Sequence, residues 1–194
     1  MASPSLWRVG IAADLAEHVL DVPLMLIISV LLNPTSRNLA LLALLLTLVQ
    51  TAVLVANESN LLSALFFLGT DGYLKSFDPN QLYTLAHISI KIHDYGFGVG
   101  LIFFGFACIV EGYVIYKSGY LPGTIGVLIQ IAGLYYLAQS FALLLSPGLA
   151  DMISPALMLP SFVAELSFCL WLIVKGVNVP KWREKTGAGQ PTVS

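Results

Sequence analysis

The chain has 194 residues, 57% of them hydrophobic and 10% charged, with a net charge of −2. Soluble domains carry about 25% charged residues, and a water-facing chain of this length could not hide so much apolar surface in one core. The slightly acidic balance argues against nucleic acid, which calls for a basic face.

The N-terminus reads as retained rather than cleaved. Arg8 is its only early basic residue, and the following apolar run holds Asp14, Glu17, His18 and Asp21, unlike a signal peptide. A spanning helix needs about 20 mostly apolar residues. Five segments meet that need, at roughly 7–32, 38–68, 81–117, 121–146 and 154–176. The expected fold class is therefore all-α, an integral membrane bundle of about five transmembrane helices in one domain over 1–180, followed by a polar tail over 181–194.

The breaks have recognisable chemistry. Residues 33–38, Asn-Pro-Thr-Ser-Arg-Asn, form a polar turn after the first span. Asp78-Pro79-Asn80-Gln81 supplies an N-cap, a proline at the first helical position and a glutamine two residues on, a start signal for helix three. Ser118-Gly119 ends that helix, and Pro122 opens helix four. Ser146-Pro147-Gly148 ends helix four, and helix five starts near 154, or begins or kinks at Pro160. Helix three, at about 37 residues and about 55 Å, overreaches a bilayer.

Arg37, Lys117, Lys175, Lys181, Arg183 and Lys185 fall on one side of these spans, and Arg8 and Lys75 on the other. The positive-inside rule then places the C-terminus in the cytoplasm and the N-terminus outside. Cys108 and Cys169 lie in apolar runs and read as small hydrophobes rather than a disulfide.

Ionisable groups inside a bilayer cost several kcal/mol unless paired or wetted. Asp14, Glu17, His18 and Asp21 follow at i, i+3, i+4 and i+7, on one face of helix one. In helix three His87, Lys91 and Asp94 form a stripe in which Lys91 and Asp94 can pair at i,i+3, with His93 about 120° away and Tyr95 alongside. Helix two offers Gln50, Asn57 and Glu58, helix four Tyr135, Tyr136 and Gln139, and helix five Glu165. In the expected topology all five helices send these residues toward the outer half of the bundle, with Glu111 the exception near the inner end. Catalytic candidates are Asp14, Glu17, His18, His93, Asp94 and Glu165. Ligand-binding candidates are Asp21, Gln50, Asn57, Glu58, His87, Lys91, Tyr95, Tyr135, Tyr136 and Gln139.

Each group has a plainer structural reading. The helix-one stripe could be a buried seam, with Asp14 and Asp21 paired to Lys91 or Arg8. Lys91 reads better as a counter-ion than as a catalytic lysine, since carboxylates surround it. Tyr135 and Tyr136 suit an interfacial aromatic belt as well as pocket walls. Gly126 and Gly133 suit close helix packing. Histidines and carboxylates could bind a metal, but no motif with metal-ligand spacing is present, so no metal site is assigned and cofactors stay unknown.

The segments RVGIAADL at 8–15, RNLALLALLLTLVQTAVLVAN at 37–57, HDYGFGVGLIFFG at 93–105, YKSGYLPGTIGVLIQIAGLYYLAQS at 116–140 and ELSFCLWLIVKGVN at 165–178 resemble the bacterial integral membrane proteins grouped as domain of unknown function 4386. The resemblance implies a bacterial inner-membrane, multi-pass location and a short form lacking the usual first helix. His87, Lys91 and Glu111 depart from the family pattern, and the resemblance carries over no activity and no functional residues.

Four functions fit these features. The first is binding of a lipid-like or other small molecule in an outer-half pocket. The second is an intramembrane enzyme using acid-base or metal-assisted chemistry on a lipophilic substrate, as hydrolase, cyclase or isomerase. Proton or ion transport is third, because the inner half offers few polar steps. Last comes a structural subunit meeting a second copy or a membrane partner. Beyond the lipid bilayer itself, a lipophilic small molecule is the leading partner.

Overall fold

The computed structural model describes residues 4–69 and 72–187. Among them there is no strand. Five long helices, α1 (Pro4–Leu32), α2 (Arg37–Phe67), α3 (Pro79–Ser118), α4 (Gly123–Leu145) and α5 (Pro147–Val174), precede a short α6 (Val179–Thr186). A single 3-10 turn, Gly72–Ser76, lies between α2 and α3. Helices α1–α4 are each long and apolar enough to cross a bilayer. The Leu159–Val174 stretch of α5 gives a fifth span when counted with α6, from which it is bent by 94°. Exposed apolar side chains run along these helices, as at Val19, Leu20, Ile27 and Ile173, a surface suited to lipid and costly in water.

The helix ends follow local chemistry. Asp78 caps α3: its Oδ1 accepts from the Asn80 amide at 2.8 Å, while Gln81 Oε1 accepts from the Asp78 amide at 3.2 Å. Gly119 ends α3 at φ 72°, where a side chain would be strained. The start of α5 differs from the expected 154. Ser146 alone separates α4 from α5, and Pro147 occupies the first helical position. There its missing N–H is no loss, and its fixed φ favours the helix. The signal that ends α4 is therefore also the one that starts α5.

Consecutive helices pack as antiparallel neighbours, α1 on α2, α2 on α3, α3 on α4 and α4 on α5, while α1 barely reaches α3. The result is a row rather than a closed ring. It is tied together at one end, called here the basic end, formed by residues 33–36, 119–122 and 175–187. The apolar core sits toward this end and draws on every helix: Leu32, Ala40, Cys108, Ile115, Ile129, Ala164 and Phe168 belong to it. Polar bonds lock the turns over it. Tyr120 donates its hydroxyl to Leu31 O at 2.8 Å and accepts from Thr35 at 3.0 Å. The Asn178 amide donates to Tyr120 O at 3.0 Å. Part of the expected polar tail is thus ordered as α6, with the Trp182 indole N–H donating to Leu31 O at 3.0 Å. Residues 188–194 of that tail lie outside the described residues.

The contact between α3 and α4 is backbone to backbone. Gly112 faces Gly126 and Gly105 faces Gly133, so closely that a Cβ on Gly126 would lie 2.5 Å from Gly112 O. Small residues permit this approach where no hydrophobic force separates helix from lipid. Gly126 and Gly133 thus act in packing.

Candidate functional site

The polar residues do not converge in one outer pocket; the structure separates them into three groups along the row. The expected convergence fails for a geometric reason. Like-depth residues meet only where helices are neighbours, and among the long helices α1 packs on α2 and barely reaches α3.

On α1, His18 is buried and Asp21 half-buried, with Nδ1 and Oδ2 3.9 Å apart. Asp14 and Glu17 are exposed along the helix. Neither Asp14 nor Asp21 pairs with Lys91 or Arg8 among the described residues. Lys91 instead lies 3.8 Å from Asp94 on the exposed face of α3, with His87 and Tyr95 exposed there as well. Lys91 is thus a counter-ion to Asp94, the i,i+3 pairing expected on its own helix.

The second group lies between α2 and α3. Asn57 donates from Nδ2 to His93 O at 2.9 Å and accepts from Asn60 at 3.0 Å. Gly96 passes directly against the Asn57 side chain. One residue on, Glu58 is 5% exposed. Its Oε1 lies 3.5 Å from His93 Nε2, and its Oε2 is buried with no hydrogen-bond partner. Glu58 is 21 residues into α2, about 32 Å from the basic end, in the far half of the row. A buried carboxylate with one oxygen uncompensated costs several kcal/mol, so this atom calls for a partner. Gln50, buried on the same helix, accepts from Thr51 at 3.5 Å.

The third group spans α3, α4 and α5. Tyr136 donates its hydroxyl to Glu165 Oε1 at 2.6 Å. Its ring packs 5.3 Å from Phe104 and 5.8 Å from Tyr135, and Tyr135 donates to Gln139. Glu111 lies within electrostatic reach of Glu165, with Cys108 one turn away on α3. These positions correct the sequence reading twice. Glu165 is nine residues from the end of α5, about 14 Å from the basic end, and so lies in the half of the helix nearer that end. Tyr135 and Tyr136 sit near the middle of α4 rather than in an interfacial belt. The half nearer the basic end therefore carries polar groups of its own, and Glu111 lies near others rather than alone.

Among the described residues no three of His, Cys, Asp and Glu are placed to hold a metal ion. Cys108 is buried and Cys169 exposed, both as free thiols.

Residues 1–176 match the family described as Domain of unknown function (DUF4386). The chain belongs to the DUF4386 family. It is also 29% identical over 158 residues to an uncharacterized protein of Archaeoglobus fulgidus, covering 81% of this chain and 78% of that one. No solved structure matches. The archaeal relative shows that similar chains are not confined to bacteria.

Sequence reasoning missed several residues that build the sites of this DUF4386 protein. Asn60 and Gly96 complete the Asn57 clip, and Cys108 and Ser161 flank the Tyr136–Glu165 pair. Asn60 and Ser161 carried a usable signal as polar residues one helical turn from a named candidate. Gly96 carried none, because its role depends on which helix lies opposite.

Proposed function

We propose that this membrane protein binds a lipophilic small molecule through the Glu58–His93 pair between α2 and α3, with a cationic or hydrogen-bond-donating group of the ligand meeting Glu58. The observation that carries this is Glu58 Oε2, buried and without a hydrogen bond. Buried acceptors are almost always satisfied, and a ligand donor would supply the missing bond. His93 Nε2, 3.5 Å from the other oxygen, flanks the carboxyl group on the α3 side. The apolar flanks of α2 and α3 suit an aliphatic ligand body. With six basic residues at one end and two at the other, the site faces the outer half of the cell membrane.

The test uses three lipophiles of equal chain length, dodecylamine, dodecanol and dodecanoate, titrated into purified protein while thermal unfolding is followed. Dodecylamine is expected to raise the unfolding temperature most, and Glu58→Gln to remove that preference while Glu165→Gln keeps it. An equal response to all three, or a preference unchanged in Glu58→Gln, overturns the assignment.

One observation favours a second reading, acid-base chemistry on a lipophilic substrate. The 2.6 Å bond from Tyr136 to Glu165 joins a hydroxyl and a carboxyl group in an apolar setting, a pair able to pass a proton to a bound substrate. Purified protein incubated with a membrane-lipid extract would convert at least one lipid species by mass spectrometry, and Glu165→Gln would not. An unchanged lipid profile with the native chain rejects this reading.

A further inference from the structure

The basic end carries more than an orientation signal. Arg37, Lys117, Lys175, Lys181, Arg183 and Lys185 are all exposed there, and none forms an ion pair among the described residues. Glu184 is the one carboxylate of the ordered segment 175–187.

Their placement is fixed by bonds rather than left to flexible loops. Helix α6 turns by 94° from the Leu159–Val174 stretch of α5, so it runs along the surface instead of continuing the span. Trp182 holds it there through Leu31 O. Lys185 Nζ donates to Lys117 O at 3.1 Å, which brings α6 against the end of α3. The Lys117 ammonium in turn lies 5.9 Å and 5.8 Å from the ring centroids of Tyr113 and Tyr116. Between the two helices is an open cavity of about 300 Å³, lined by Ser118, Gly119, Lys181, Glu184 and Lys185.

We propose that this cavity and the cations around it bind the phosphate headgroup of an anionic phospholipid. Lys181 and Lys185 meet the phosphate, while Ser118, whose hydroxyl is donated to Ile115 O at 2.7 Å, only shapes the wall beside them. Two features favour a lipid over a free anion. Trp182, Tyr113 and Tyr116 stand at the level where aromatic side chains meet headgroups. Ile173 and Val174, 74% and 71% exposed, lie just before Lys175 on the adjoining turn of α5 and offer acyl chains an apolar surface. The occupied site clamps α6 to α3, so headgroup charge stiffens the end where all five helices share their core.

The test is native mass spectrometry of the full chain in detergent, titrated with phosphatidylglycerol and phosphatidylcholine of the same chains. Phosphatidylglycerol is expected to bind at least tenfold more tightly. Lys181→Gln and Lys185→Gln each lower its affinity about fivefold, in line with the surface attraction of one cation. The double variant Lys181→Arg, Lys185→Arg keeps the preference, and so does Lys91→Gln, which removes a cation at the far end. Equal affinity for the two lipids overturns the proposal, as does a preference untouched by the glutamine variants. Displacement of phosphatidylglycerol by millimolar inorganic phosphate would show a free-anion site and overturn the lipid assignment.

Discussion

Replacing Gly126 with leucine is expected to abolish the folded state, and replacing it with alanine to cost about 3 kcal/mol, the upper part of the range for overpacking. The nearest atoms to a Cβ at Gly126 are Gly112 O at 2.5 Å and Tyr116 N at 2.6 Å. Both are backbone atoms inside helices, so neither can rotate aside as a side chain would. The same holds at Gly133, where Gly105 O would lie at 2.6 Å. The glycines are spaced by seven residues on both α3 and α4, two turns of each helix, so the two contacts share one register. A single added methyl therefore pushes the helices apart along their length. Against a total stability of about 5–15 kcal/mol, a leucine is more than the fold can absorb. Unfolding of the purified protein in mixed micelles, followed by circular dichroism, measures this. Gly10→Ala is the control, because nothing lies within 4 Å of a Cβ there. If Gly126→Leu unfolds with the same midpoint as Gly10→Ala, the α3–α4 contact is wrong.

Asn57→Leu is expected to cost about 3 kcal/mol. It loses the bond to His93 O and leaves Asn60 without its acceptor, each worth about 1 kcal/mol in a membrane setting. The branched side chain also meets α3 where Gly96 leaves room only for the flat amide, adding about 1 kcal/mol or more of crowding. Asn57→Ala keeps the space and loses only the bonds, so it should cost about 2 kcal/mol by the same bond values. Gly96→Ala displaces Asn57 and removes the same bonds from the opposite side. The two alanine changes together should therefore cost clearly less than their sum, the sign of a shared interaction. Strict additivity in the double-mutant cycle would show that Asn57 and Gly96 do not meet.

The candidate site was only partly legible in the sequence. The intramembrane charges were visible because each is costly in lipid, so Glu58, His93 and Glu165 stood out by residue type alone. Their grouping was not visible. Depth can be counted along a helix, but which helix lies beside which is a property of packing. Lys91 had two possible partners in the sequence, Asp94 three residues along its own helix and the carboxylates of α1, and only the packing decides for Asp94. Pro155 and Pro160 obscured the start of α5, so the sequence placed Glu165 at mid-helix when seven more residues of α5 lie on its far side. A one-residue turn at Ser146 is hard to distinguish from a simple helix end. The glycine contact was half legible: Gly126 and Gly133 suggested packing, and their seven-residue spacing is repeated by Gly105 and Gly112.

By itself the sequence determined that this is a membrane-spanning helical protein with about five spans and one basic end. Those properties depend on summed transfer free energies and local capping, which each segment carries on its own. Only the tertiary structure decided that the helices form a row joined at the basic end, and that the polar residues divide into three groups. It also showed that the first part of the expected tail, together with Val179 and Pro180, returns as α6 against α1 and α3. These outcomes rest on contacts between residues far apart in the chain, where a glycine facing a glycine fixes the approach of two helices and a neighbour's absence leaves a charge exposed.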